Sequence, residues 1–223
     1  MTNLIFDYDG TLHESIKIYA PAFRKAQKYL VSEGLTEEKD WAEDEISKWL
    51  GYNSDDMWNM FMPLLPRDIK DECSGMIGNE MIRLTQAGAA RLYPNADIVL
   101  DCLKDKGYNL ILLSNCKRRY MEAHVKHFNL DRYFAAFYCS EDFMFIPKHE
   151  IFNEVRLNHF GEYVVIGDRF HDMEIAQKHK LKSIGCSYGY GEKREISKAS
   201  TIITKIEEII PALANLQVVS NER

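Results

Sequence analysis

The feature that most constrains this chain is where its apolar runs stop. Asn3 to Phe6 ends on Asp7-Tyr8-Asp9-Gly10-Thr11, Asn109 to Leu113 ends on Ser114-Asn115, and Tyr163 to Ile166 ends on Gly167-Asp168, with Asp172 one helical turn later. Runs this short, bounded by turn residues, read as buried strands. In an open parallel sheet, ligands bind outside the carboxyl ends of the strands. Three polar strand ends in one sheet therefore mark one candidate site.

The first strand is separated from the rest by a stretch of different character. From residue 15 to 33, Ile16, Tyr19, Phe23, Ala26 and Leu30 recur near helical spacing, and Pro21 predicts a kink or a helix start at that point. Thr36 to about Thr85 carries Trp41, Ile46, Trp49, Leu50, Met57, Trp58, Phe61, Met62, Ile77 and Met81 at helix-like intervals, with no alternating run. This is an all-helical insertion. After Ala90, helical stretches over 95–106, 117–128, 150–158, 173–179 and 206–216 alternate with strands over 109–113, 136–139, 163–166, 183–185 and 201–203. That alternation predicts an α/β fold with a parallel sheet and crossover helices, and 220–223 reads as a frayed tail.

Composition narrows the function classes. With 46% hydrophobic and 12% aromatic residues, the 223-residue chain can bury a sizeable core. Its 28 Lys plus Arg against 34 Asp plus Glu give a formal charge of -6, which argues against nucleic acid as a partner. Cys73, Cys102, Cys116, Cys139 and Cys186 form no CxxC pair and read as reduced thiols. Met1 leads straight into the first strand without a signal-like segment, and no run approaches the roughly 20 apolar residues of a membrane span, so a cytoplasmic protein without a membrane partner is expected. Oligomeric state stays open.

The polar strand ends supply what phosphoryl transfer requires: a carboxylate nucleophile, a second carboxyl for proton traffic, a divalent metal site and donors for the nonbridging oxygens. Asp7, first after the strand, is the best-placed nucleophile, and Asp9, two residues on along an extended segment, is placed to protonate the leaving oxygen and later deprotonate water. Those roles need pKa values pushed apart, with Mg²⁺ holding Asp7 ionised and a dry neighbourhood keeping Asp9 protonated when required.

With these residues in order, the chain resembles the haloacid dehalogenase (HAD) superfamily over nearly its whole length, in its phosphoglycolate-phosphatase-like subgroup. Phe6-Asp7-Tyr8-Asp9-Gly10-Thr11-Leu12 matches the first motif, Leu113-Ser114-Asn115 the second, Lys148 the third, and Val165-Ile166-Gly167-Asp168-Arg169 through Asp172 the fourth. The resemblance implies a Rossmann-like parallel-sheet core over 1–14 and 88–223, with an inserted all-helical cap over 15–87. It implies a Mg²⁺-dependent phosphatase acting on a small phosphorylated metabolite, whether phosphoglycolate, a sugar phosphate or a nucleotide. Asp7 would become an aspartyl-phosphate and Asp9 would act as acid and base. Mg²⁺ would be held by Asp7, the Asp9 carbonyl and Asp168, with Asp172 behind them orienting water or Lys148. Ser114 and Asn115 would bind the phosphoryl group, and Lys148 would offset charge. A phosphomutase of the same fold and a phosphate-sensing protein without turnover are the alternatives.

Several positions carry two readings. Proline precedes lysine in Ile146-Pro147-Lys148, whereas many relatives have it after, so Lys117 and Arg118 stand as fallback cations. Gly51 and Tyr52, with Lys48, fall where relatives place a substrate loop, while Gly51 equally reads as a helix end. Trp41, Trp58, Met57, Met60 and Met62 read as helical packing, His13 as a solvated hinge residue, and His124 with His127 as an exposed helix face. Ser187 to Gly191 resembles a glycine-bearing loop of the subgroup.

Overall fold

The computed structural model describes residues 1–221. Six strands, β1 (Thr2–Phe6), β2 (Asn109–Ser114), β3 (Ala136–Cys139), β4 (Glu162–Gly167), β5 (Lys182–Cys186) and β6 (Thr201–Ile203), form one sheet in the order β3-β2-β1-β4-β5-β6. Every pairing is parallel. β1 lies between β2 and β4, and Phe6 is in register with both Leu112 and Ile166. Asp7, Ser114 and Asp168 therefore leave the sheet at nearly the same level.

The apolar runs are continuous because both faces of the sheet are covered. Leu4, Phe6, Leu110, Leu112, Val164 and Ile166 face one core, with α5 (Ala96–Asp105), α6 (Arg118–Phe128) and α9 (Ile209–Asn221) packed there. The residues between them, Ile5, Ile111, Leu113 and Val165, face α7 (Lys148–Asn158) and α8 (Phe170–His179) on the other. The expected tail begins inside α9, and its last two residues, 222–223, lie outside the described residues. Among the described residues, no helix is long and apolar enough to cross a membrane.

Between β1 and α5 run α1 (Ile16–Ser32), α2 (Glu43–Ser47), α3 (Ser54–Phe61) and α4 (Arg67–Gln86), with α1 packed along α4 and α4 against α6. Where these helices join the sheet, the two chain crossings are tied together. Tyr93 N–H donates to the Leu12 carbonyl and Glu14 N–H to that of Arg91, each at 2.9 Å. Pro21 does not start α1 but lies inside it. The start is set five residues earlier, where the Ile16 N–H donates to the Tyr190 hydroxyl at 3.0 Å, a contact 174 residues away that local sequence does not reveal.

Candidate active site

Lys148 is the first residue of α7 and 98% buried, an environment a lysine enters only when paired. Its Nζ donates to Asp7 Oδ1 at 2.7 Å and to Asp172 Oδ1 at 2.8 Å. The fallback cations are not in this position. Arg118 pairs with Asp142, and Lys117 is exposed. Asp7, Asp168 and Asp172 bring one carboxylate oxygen each within 4.8 Å of one another. Asp7 is fixed by its own N–H donating to the Ile166 carbonyl, and Asp172 by accepting from Arg169 N–H at 3.1 Å. Asp168 accepts from Thr11 Oγ1 at 3.2 Å and from Tyr190 N–H at 2.7 Å, so the loop after β5 seals the pit. Gly10 is required here. Its φ is +89°, and a side chain would run into the Asp168 carboxylate.

Burial, with repulsion from Asp172 and Asp168, raises the Asp7 carboxyl well above its usual range against the lowering effect of Lys148. Burial and Asp172 likewise push Asp168 up to about 7. Three buried carboxyls face one lysine, a donor set of hard oxygens short of positive charge. It fits a divalent cation of the Mg²⁺ type. Asp172, expected behind the metal ligands, lies in the same cluster as Asp7 and Asp168.

Asp9 points to the other side. Three donors converge on its Oδ1: Ser15 Oγ at 2.5 Å, Tyr120 hydroxyl at 2.7 Å and His13 Nδ1 at 3.1 Å. Burial alone would raise Asp9, but these hydrogen bonds and the charge interaction with His13 outweigh it and hold the carboxyl below its usual value. The dry neighbourhood expected to keep Asp9 protonated when required is countered in the free protein by these three donors, because a carboxylate that accepts several hydrogen bonds is stabilised as the anion. Tyr120 comes from the first turn of α6, beyond any local motif.

His13 is a second correction. It is fully buried rather than solvated, lies beside the Ser15 hydroxyl at 2.9 Å and stacks on Tyr8. His124 is a third, since its ring is 99% buried between the Tyr8 hydroxyl at 2.8 Å and Thr85 Oγ1 at 3.0 Å. Its neighbour His127 is exposed as expected. The turn that places Tyr8 beneath α4 and α6 removes His13 and His124 from water together.

A cavity of about 140 Å³ opens beside Asp9, between the helical insertion and the sheet, with Gly51, Tyr52, Asn115 and Tyr120 in its wall. Both Gly51 and Tyr52 thus reach the site, whereas Lys48 is exposed and outside this lining. Met57 lines it as well as packing, while Trp58 is core, donating its indole N–H to Ser74 at 2.8 Å. Met60 is exposed rather than packed, being at the outer face of α3. Ser114 is buried at the end of β2, and the Asn115 side chain donates to the Gly51 carbonyl at 3.1 Å. Arg169, unremarked in the sequence beyond its motif, donates to the Leu50 carbonyl, pairs with Glu195 at 3.0 Å and lies under the Tyr52 ring at 4.5 Å. Loop 50–52 is fastened to the sheet by these contacts.

A family model described as haloacid dehalogenase-like hydrolase matches residues 4–186. A phosphoglycolate phosphatase of Pectobacterium atrosepticum is 23% identical over 224 residues, covering 95% of this chain and 92% of that protein. A 5'-nucleotidase of Pseudomonas aeruginosa is 29% identical over 122 residues, 52% of this chain and 55% of that one. The crystal structure of a predicted phosphatase from Clostridium acetobutylicum superposes with a TM-score of 0.80 at 22% identity, covering 96% of this chain and 98% of that one, and so shares the fold.

Proposed function

Because the chain belongs to the haloacid dehalogenase-like hydrolase family, we propose that it is a Mg²⁺-dependent phosphatase that hydrolyses a small phosphomonoester through an aspartyl-phosphate. The observation that carries this reading is the buried Lys148 ammonium between Asp7 and Asp172, in contact with a three-carboxylate cluster. Residues 15–87 act as a cap over a core made of 1–14 and 88–223, and the paired crossings at Leu12–Tyr93 and Glu14–Arg91 support that division.

Asp7, Asp168 and Asp172 would hold Mg²⁺, with the Asp9 carbonyl joining them. When bound, the ion supplies positive charge for the phosphoryl oxygens and keeps Asp7 ionised. Lys148 occupies Asp7 Oδ1, which leaves Oδ2 to attack phosphorus. The bond from phosphorus to the ester oxygen breaks, and that oxygen takes a proton from Asp9. Water then attacks the aspartyl-phosphate and gives its proton to the Asp9 carboxylate. Inorganic phosphate leaves and both carboxyls return to their starting state, so the sum is ester plus water to alcohol plus phosphate. The three donors around Asp9 favour the carboxylate needed in the second step, and the negative charge of an arriving phosphate favours the protonated form needed in the first. Ser114 and Asn115 flank the phosphoryl group from the end of β2.

The test is phosphate release from a panel of small phosphate esters, with Mg²⁺ and with chelator, running Asp7→Asn beside wild type. Release that needs both Mg²⁺ and Asp7 is expected. Substantial release by a folded Asp7→Asn protein would remove Asp7 from its role.

A further inference from the structure

The reaction chemistry leaves the cavity beside Asp9 unassigned. Asp9 stands in its wall, so a phosphoryl group seated over Asp7 with its ester oxygen at Asp9 sends the rest of the substrate into this space. The wall is largely apolar, with Trp49, Leu50, Met57, Ile77 and Met81 in it beside the polar side chains of Ser54, Ser74, Asn115 and Tyr120. Leu50, Met57, Ile77 and Met81 are all buried. The volume of about 140 Å³ is close to that of an apolar protein cavity that accepts one benzene ring.

Positive charge is absent from the inner wall. Lys148 is engaged by Asp7 and Asp172, and the Arg169 guanidinium by Glu195 and the Leu50 carbonyl. Among the described residues lining the cavity, Lys117 is the one lysine or arginine, and its side chain is exposed. A carboxylate carried into this space would lose water and meet no buried cation, which strongly opposes its entry.

We propose, on the basis of the phosphatase reading above, that the substrate is the phosphate ester of an uncharged, largely apolar alcohol about the size of benzyl alcohol. It is not the ester of a hydroxy acid such as glycolate. Selection rests on the α3 and α4 walls of the cavity. Gly78 in α4 provides a gauge for this. It lines the cavity, and a Cβ added there meets nothing within 4 Å. Gly75, one turn earlier, has the same open space but is not part of the lining.

Benzyl phosphate and phosphoglycolate are both esters of primary alcohols, so their order reports recognition more than leaving-group reactivity. Wild type is expected to show a kcat/KM for benzyl phosphate at least about 10-fold above that for phosphoglycolate, a factor within reach of one apolar pocket. Equal values or the reverse order overturn the proposal. Gly78→Leu lowers the ratio of benzyl phosphate to acetyl phosphate turnover at least about fivefold, and Gly75→Leu leaves that ratio within about twofold. An unchanged ratio in folded Gly78→Leu also overturns it. Met81→Ala, which enlarges the same wall, is the companion variant and shifts preference towards 3-phenylpropyl phosphate; no shift counts against the proposal.

Acetyl phosphate separates the two readings, because its leaving group is too small to depend on the cavity. If wild type with Mg²⁺ releases no phosphate from acetyl phosphate or from either ester, the phosphatase reading fails. The two esters are then ranked by calorimetric affinity, and equal or tighter binding of phosphoglycolate overturns the cavity proposal on its own.

Discussion

Asp7 and Asp9 are two residues apart and of one type, yet they sit in opposite environments. Asp7 lies in a pit of strand ends where Asp168 and Asp172 crowd it and only Lys148 answers their charge. Asp9 lies in a nest of hydroxyls and one imidazole, with 16% of its side chain open. Burial raises both carboxyls, and the neighbours decide the outcome: Asp7 ends above its usual range and Asp9 below. Like charge without solvent favours the proton, whereas converging donors favour the anion. On the proposed reading, the pit receives a cation and the nest holds a charge until a substrate arrives.

If this contrast is right, damage to the pit harms stability and turnover together, and damage to the nest harms turnover alone. Lys148→Met gives the largest effect. It strips the compensating charge from a buried cluster, and turnover should fall by roughly 10²- to 10³-fold. Without metal, the unfolding free energy should fall by about 3 kcal/mol. Denaturant titration beside phosphate release checks both, and a variant of normal stability would mean that the carboxyls neutralise themselves without help.

Asp168→Asn sharpens the same side. Saturating Mg²⁺, at about 100 times its Kd, should stabilise wild type by about 2.7 kcal/mol through mass action. In Asp168→Asn the shift in thermal midpoint with added Mg²⁺ should be largely lost. An unchanged midpoint shift would move the cation elsewhere.

The unequal legibility of the two regions has a physical origin. Asp7 and Asp168 could be read from sequence because strand ends in parallel register bring short motifs to one level, so local order along the chain maps onto space, whereas Lys148, at the first position of α7, was legible only through the family resemblance. Even the altered proline order around Lys148 did not matter, since Pro147 opens α7 and leaves the lysine at its first position. The nest does not map this way. Tyr120 reaches Asp9 across 111 residues, and His13 is covered by His124 of α6 as well as by its neighbours Tyr8 and Ser15. A histidine next to an acidic motif carries the same local pattern whether solvated or buried. The start of α1 was left open between residue 15 and Pro21 for the same reason, its first N–H being met by Tyr190.

Tyr120→Phe tests the nest. It removes one of three hydrogen bonds to Asp9 without changing the ring, and turnover should fall by about 10-fold, equivalent to about 1.4 kcal/mol. Stability without metal should change by no more than about 1 kcal/mol. A loss of stability matching that of Lys148→Met would dissolve the distinction between the two regions.

The smallest effect comes from His124, behind the nest. Burial first, and then the nearby His13, hold its pKa well below the usual 6.5, with Asp9 opposing and His127 adding to the depression. The unfolded chain therefore binds a proton near pH 6.5 that the folded chain refuses. Stability from this group is complete above that pH and drains as pH falls towards the folded-state pKa. Between about pH 7 and about pH 5.5, wild type should lose about 1 kcal/mol through His124 alone. His124→Gln removes the titration, so its urea midpoint should fall less over that interval, even though the loss of the Tyr8 and Thr85 contacts lowers the midpoint at neutral pH. Parallel pH profiles for the two proteins would show that His124 titrates alike in the folded and unfolded chain, and the buried stack behind Asp9 would then be open to water.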